Sequence, residues 1–78
     1  MALGSKRAEE KTKHLHRLIS ILRSLDNRER INPRSLATKF NTSTRTIQRD
    51  IQTLNNSGFA IVFDKERNMY MFANSTTH

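Results

Sequence analysis

The stretch RTIQRDIQTL, which begins at Arg45, combines an apolar stripe with side chains that could recognise nucleic acid. Ile47, Ile51 and Leu54 recur at i, i+4 and i+7, which is the spacing of a buried helix face. At 100° per residue, Arg45 and Arg49 fall about 160–200° away from Ile47. These arginines therefore face away from the core, where they either read base edges and phosphates or are simply solvated.

Further polar candidates lie in and just before this helix. Gln48 can hydrogen-bond the edge of adenine in two places, as arginine does with guanine. Ser43, Thr44 and Thr46 are short polar residues near the helix N-terminus, where backbone N–H groups and the helix dipole favour phosphate. Helix capping explains Ser43 equally well.

Asp50 differs from its neighbours in charge and in position. It lies about 60° from Ile47 around the helix, and a carboxylate facing DNA would be repelled. We therefore expect an ion pair or hydrogen bond inside the domain, with a partner that the sequence does not identify.

Composition limits the classes of protein. Seventy-eight residues with 35% hydrophobic content suffice for one small domain. A net charge of +7 favours an anionic partner, although it could also serve solubility alone. The absence of cysteine excludes disulfides and thiolate metal sites. The longest apolar run, Phe59–Phe63, is far below the ~20 residues of a membrane span, and no secretory signal is evident. We interpret the chain as soluble and cytoplasmic, with no membrane partner.

The charge is unevenly distributed. Residues 1–40 carry ten basic and four acidic side chains, whereas residues 41–78 carry four and three. Electrostatics alone therefore does not select the helix that begins near Thr44. Many of the early charges, such as Lys11, Lys13 and Arg17, could solvate the first helix or contact a DNA backbone without specificity.

The hydrophobic pattern predicts three helices and a hairpin. The helices are expected at about 8–25, 33–40 and 44–57, and two strands, AIVFD and MYMF, flank the loop KERN. In this hairpin Ile61 and Phe63 are expected on one face, with Tyr70 and Phe72 across from them. Residues 1–7 are interpreted as a flexible lead-in, 8–73 as the domain and 74–78 as a polar tail.

Local signals mark the ends of these elements. Asn32 and Pro33 suit the N-cap and first turn of the second helix, and Ile31 before them could pair briefly as a strand. Asn41 can adopt a left-handed conformation in the turn, and Gly58 can do so after the third helix.

The order helix, helix, tight turn, helix, hairpin is that of an α+β winged helix-turn-helix. In that fold the third helix enters the major groove of double-stranded DNA. Arg34, in the first turn of the second helix, opposes the helix dipole but would suit a phosphate contact. Lys65 and Arg67 would lie at the tip of the hairpin, or wing.

The segment LATKFNTSTRTIQRDIQTLNNSGFAIVF resembles the DNA-binding domain of DeoR-type and WYL-domain bacterial transcriptional regulators. Their pattern is matched by Leu36-Ala37, Phe40 and the run from Ser43 to Ile51, followed by Leu54, Gly58 and Ile61. The resemblance covers roughly residues 15–72. It implies sequence-specific binding of double-stranded DNA in transcription regulation.

Three departures from the family pattern are visible. Asn41-Thr42 replaces the usual Gly-Val in the turn, and Ala60 stands where proline is common. Arg67-Asn68 must form the wing bend without the usual glycine. Family members also continue into an effector-sensing domain, so we expect this chain to be mainly monomeric and to dimerise only with such a domain or on DNA.

No nucleophile–base pair, phosphate-binding glycine loop or carboxylate dyad is present, so the sequence does not indicate an enzyme. His14 and His16 point to different helix faces, and neither a metal site nor a cofactor is expected. The competing interpretation is a winged-helix module that binds another protein and no specific DNA.

Overall fold

The computed structural model describes residues 5–73, with side chains from Lys11 onward, and contains three helices followed by an antiparallel hairpin. These are α1 (Ser5–Asp26), α2 (Pro33–Lys39), α3 (Thr44–Asn56), β1 (Ile61–Asp64) and β2 (Met69–Phe72). The winged helix-turn-helix architecture expected from the sequence is confirmed. The interpretations of residues 1–4 as lead-in and 74–78 as tail lie outside the described residues.

Helix α1 is longer than the apolar repeat predicted. It begins at Ser5, whereas the pattern indicated a start near Ala8, so residues 5–7 of the expected lead-in are helical. Lysine, arginine, alanine and glutamate all favour helix, and they extend it without any apolar repeat to mark its beginning.

All three helices end in the same backbone arrangement. A residue with positive φ follows each helix cap: Arg28 at 58°, Asn41 at 53° and Gly58 at 113°. After α3, the Gly58 N–H donates to the Asn55 carbonyl and the Phe59 N–H to the Leu54 carbonyl, at 3.1 and 3.2 Å. This is the hydrogen-bond pattern of a Schellman motif, and it recurs after α1 and α2. The left-handed conformations expected at Asn41 and Gly58 are confirmed, whereas the one at Arg28 was not predicted.

The beginnings of α2 and α3 carry the expected caps. The Asn32 side chain accepts a hydrogen bond from the Ser35 N–H at 2.8 Å, while the Ser35 hydroxyl accepts one from the Asn32 N–H at 3.0 Å. This reciprocal pair is a capping box. Ser43 caps α3 by accepting from the Thr46 N–H at 3.1 Å.

The wing places on one face the four side chains that the residue pattern predicted there. Ile61 pairs with Phe72 and Phe63 with Tyr70, so the four side chains share one face. The Tyr70 N–H donates to the Ile31 carbonyl at 2.7 Å, but this is a single hydrogen bond and the sheet has only two strands within the described residues, so the strand pairing expected of Ile31 does not form.

A single hydrophobic core joins these elements. Ile21 of α1, Leu36 of α2 and Ile47 of α3 are its most completely buried side chains. The rest of the core comprises Leu25, Ile31, Ala37, Ile51, Leu54, Ile61 and Tyr70. The apolar stripe of α3 is therefore buried as predicted, and this burial fixes which face of α3 points outward.

Candidate nucleic-acid interface

The outward face of α3 carries the main candidates. Arg45, Gln48 and Arg49 are all exposed, while Ile47 and Ile51 on the opposite side are buried. The structure thus brings these three long polar side chains together on one accessible helical surface. Their charge and hydrogen-bonding groups suit both base edges and phosphates.

Two of the three short polar residues at the start of α3 bond to each other. The Ser43 hydroxyl oxygen lies 3.1 Å from the Thr46 hydroxyl oxygen and accepts from the Thr46 N–H at the same distance. Ser43 therefore has a capping role whether or not it meets a ligand. Thr44 is exposed in the first turn, beside Arg45.

Arg34 lies close to the point where α2 contacts the wing. Arg34 is exposed in the first turn of α2, just after the cap residue Asn32. The Asn32 side-chain amide donates to the Asn68 carbonyl in the wing turn at 3.2 Å. The start of α2 and the wing turn are therefore directly hydrogen-bonded neighbours.

The wing turn is organised by Asp64. Its carboxylate accepts from the backbone N–H groups of Glu66 and Arg67 at 3.0 and 3.3 Å, and Asn68 completes the bend with a φ of 56°. The bend at Arg67-Asn68 expected from the sequence is confirmed. Lys65 is exposed at this turn.

Arg67 is placed differently from Lys65. Its Nε lies 3.7 Å from Asp64 Oδ2, and the residue also lines an open groove beside Arg28 and the Gly58–Ala60 segment. That groove lies at the C-terminal end of α3. The structure therefore does not bring Arg67 together with the residues at the N-terminal end of α3.

Asp50 has the internal partners that its position required. It is only 2% exposed, and its carboxylate accepts hydrogen bonds from Arg17 of α1 through both Nε and Nη2. His14 Nε2 lies 3.1 Å from Asp50 Oδ1. The expected ion pair is confirmed, and it ties the middle of α3 to α1.

The sequence interpretation did not identify Arg17 or His14 as these partners. Both are polar residues that precede Ile21 at helical spacing, by four and seven positions, so they share its side of α1. Their alignment with a buried isoleucine was the signal in the sequence that these two side chains point towards the rest of the domain. The identity of their partner on another helix depends on tertiary packing, which spacing along one helix does not reveal.

Comparison with protein families supplies the identification. A model of the HTH domain matches residues 17–70, which is most of the chain. The chain belongs to the HTH domain family. The matched region begins at Arg17 and ends at Tyr70, so it contains the C-terminal part of α1, all of α2, α3 and β1, and the first two residues of β2.

Other comparisons add no relative. No curated protein and no solved structure matches the chain. Within residues 5–73, no helix is long and apolar enough to cross a membrane. The family match supports DNA binding as the general role of this HTH domain, and it does not distinguish the DeoR and WYL subtypes.

Proposed function

We propose that this HTH domain binds specific sequences of double-stranded DNA, with α3 as the recognition helix in the major groove. The observation that carries the proposal is the exposed set Arg45, Gln48 and Arg49 on a helix whose other face is buried. Burial and the Asp50 ion pair hold the helix in one orientation. A fixed orientation allows the same side chains to meet the same base positions each time.

Within this proposal the polar residues divide into two roles. Arg45 and Arg49 contact guanine edges or phosphates, and Gln48 contributes a weaker base contact. The residues expected to contact the DNA backbone, and so to fix the position of the domain on the duplex, are Ser43, Thr44, Thr46, Arg34, Lys65 and Arg67. Since Arg67 pairs with Asp64 and lies by the groove, we assign it the smaller contribution in the wing.

The setting follows from the family resemblance. The run from Ser43 to Ile51 is similar to DeoR-type and WYL-domain regulators, so we propose a role in bacterial transcription regulation in the cytoplasm. The isolated chain is expected to be monomeric. Dimers would form on paired half-sites or through a further effector domain.

A protein-binding function is the second candidate, and exposed apolar groups on the wing favour it. Phe59, Val62 and Phe63 are 41%, 45% and 39% exposed. Exposed apolar side chains commonly mark protein contacts where they cluster; here Val62 lies on the opposite face of β1 from Phe63, and Phe59 precedes the strand. Under this alternative the wing, and not α3, would carry the function.

A titration against duplex DNA separates these two functions. The chain is titrated into fluorescently labelled duplexes of mixed sequence, and fluorescence anisotropy is recorded over a series of salt concentrations. Binding should weaken steeply with salt, because each phosphate contact releases condensed counterions. A chain that shows no binding even at low salt would refute DNA binding and favour the protein-binding candidate.

A further inference from the structure

The leading segment of α1, residues 5–13, extends the helix beyond its contact with α3. At about 1.5 Å per residue, it adds roughly 13 Å of helix before His14. All side chains from Lys11 to His16 are exposed. The described side chains of this segment therefore contribute nothing to the hydrophobic core.

Contacts at two points along α3 indicate the direction in which this segment runs. His14 and Arg17 meet Asp50 in the middle of α3, whereas Leu25, near the end of α1, lines the groove with Gly58 after α3. Moving backward along α1 thus corresponds to moving from the C-terminal end of α3 towards its N-terminus. We infer from this direction that the leading segment extends towards the end of α3 where Arg45 lies.

The leading segment carries an excess of positive charge, which suits a position beside the proposed DNA-binding end of α3. It contains four basic residues against two acidic ones, and no acidic residue occurs from Lys11 through Leu25. Lys11 and Lys13 are exposed, and they lie about 100° to either side of Thr12, which points away from Ile21. Long, flexible lysine side chains in these positions can reach past the helix on both flanks.

We propose that Lys11 and Lys13 contact DNA phosphates that flank the bases read by α3. This inference rests on the proposed DNA-binding function and enlarges its interface. The ion pair of Arg17 with Asp50 attaches α1 to the recognition helix, so the two lysines are presented at a fixed place relative to α3. Because phosphates are common to all sequences, these contacts add affinity and no base preference.

The test compares two double variants of equal net charge. Lys11→Ala with Lys13→Ala removes the proposed contacts, and alanine preserves the helix. Arg23→Ala with Arg28→Asn removes two charges from the C-terminal part of α1, and asparagine suits the left-handed conformation of residue 28. Anisotropy titrations of both variants and the parent chain are run over a salt series, on the duplex preferred by the parent.

The lysine variant should lower the slope of log affinity against log salt by about one unit for each lysine that meets a phosphate. It should bind all duplexes proportionately more weakly, by about eightfold for each contact at 0.1 M salt. The arginine variant should keep the parent slope. Removal of the base pairs that flank the recognised bases should then weaken DNA binding by the parent chain. The same removal should leave DNA binding by the lysine variant nearly unchanged.

Two results would overturn the inference in distinguishable ways. If the parent binds with a steep salt dependence and the lysine variant keeps the same slope, the leading segment makes no phosphate contact, while the DNA-binding function stands. If the parent itself shows no salt-dependent binding, the proposed function fails and this interface fails with it.

Discussion

Asp50 shows how a buried residue can hold α3 in place without lying on the face that we propose to bind DNA. It lies within α3, the proposed recognition helix, yet its carboxylate is buried and paired with Arg17 and His14 of α1. A buried carboxylate needs such partners, because leaving a charge unpaired in the interior is costly. Its role is therefore to position the exposed residues on either side of it.

Substitution of Asp50 by alanine should destabilise the fold. Arg17 is only 18% exposed and would lose its partner, so we expect the free energy of unfolding to fall by about 1–3 kcal/mol. Thermal melting measures the loss, and Gln52→Ala on the exposed face of α3 serves as the control. In a double-mutant cycle with Arg17→Ala, the two losses in the free energy of unfolding should not add. Additive losses would contradict the ion pair.

Tyr70 provides a titratable reporter of core packing. It is the only tyrosine in the chain, and burial raises its pKa above the ordinary value of 10.0. The unfolded chain therefore loses the phenol proton at a lower pH than the folded chain. The stability associated with neutral Tyr70 is present below pH 10.0 and is lost as the pH rises through the folded pKa.

This linkage can be measured directly. Ultraviolet absorbance of tyrosinate in the folded chain should develop at a higher pH than in the chain unfolded by urea. Tyr70→Phe should remove this contribution to alkaline destabilisation, although lysine titration continues in both proteins. Identical titration curves for folded and unfolded chains would mean that Tyr70 is not buried.

At the scale of the elements, the three helix ends use one backbone motif with three different residues. Glycine at position 58 suits positive φ, asparagine at 41 tolerates it, and arginine at 28 adopts it against its preference. The bend at Arg28, after α1, was predictable neither from composition nor from spacing, because arginine has no preference for the left-handed conformation. Tertiary contacts of Leu25 and Ile31 on either side of the bend hold it there instead.

The helix ends lead to a paired prediction on stability. Gly58→Ala should destabilise by roughly 1 kcal/mol through its backbone alone, since no atom lies within 4 Å of the added Cβ. Arg28→Gly should act in the opposite direction, with a gain of up to about 1 kcal/mol. Melting curves of both variants test this, and a gain at Gly58 or a loss at Arg28 would contradict the shared motif.

The sequence predicted the elements better than it predicted their contacts. The apolar stripe of α3, its Ser43 cap and the shared face of Ile61 and Phe72 all follow from local spacing and turn chemistry. The start of α1 was placed three residues late, because helix propensity without an apolar repeat leaves no periodic signal. The partners of Asp50 were missed since they lie 33 and 36 residues away in the chain.

For the whole molecule, stability and recognition are assigned to opposite faces of α3. Ile47, Ile51 and Leu54 are buried in the core, while Arg45 and Arg49 remain accessible. The net charge of +7 supplies general attraction to DNA, but it does not select a sequence. Under the proposed function, sequence preference resides in the few side chains on the outward face.

Selection of binding sites from randomised duplexes, repeated with folded variants, tests this division most directly. Arg45→Ala and Arg49→Ala should each keep the parent melting temperature. Because a bidentate guanine contact contributes about 1–3 kcal/mol, at least one variant should bind the preferred duplex roughly tenfold or more weakly and lose discrimination at particular base positions. If both variants return the parent's preferred sequence with the parent's affinity, the outward face of α3 is only solvated, and the recognition-helix account is wrong.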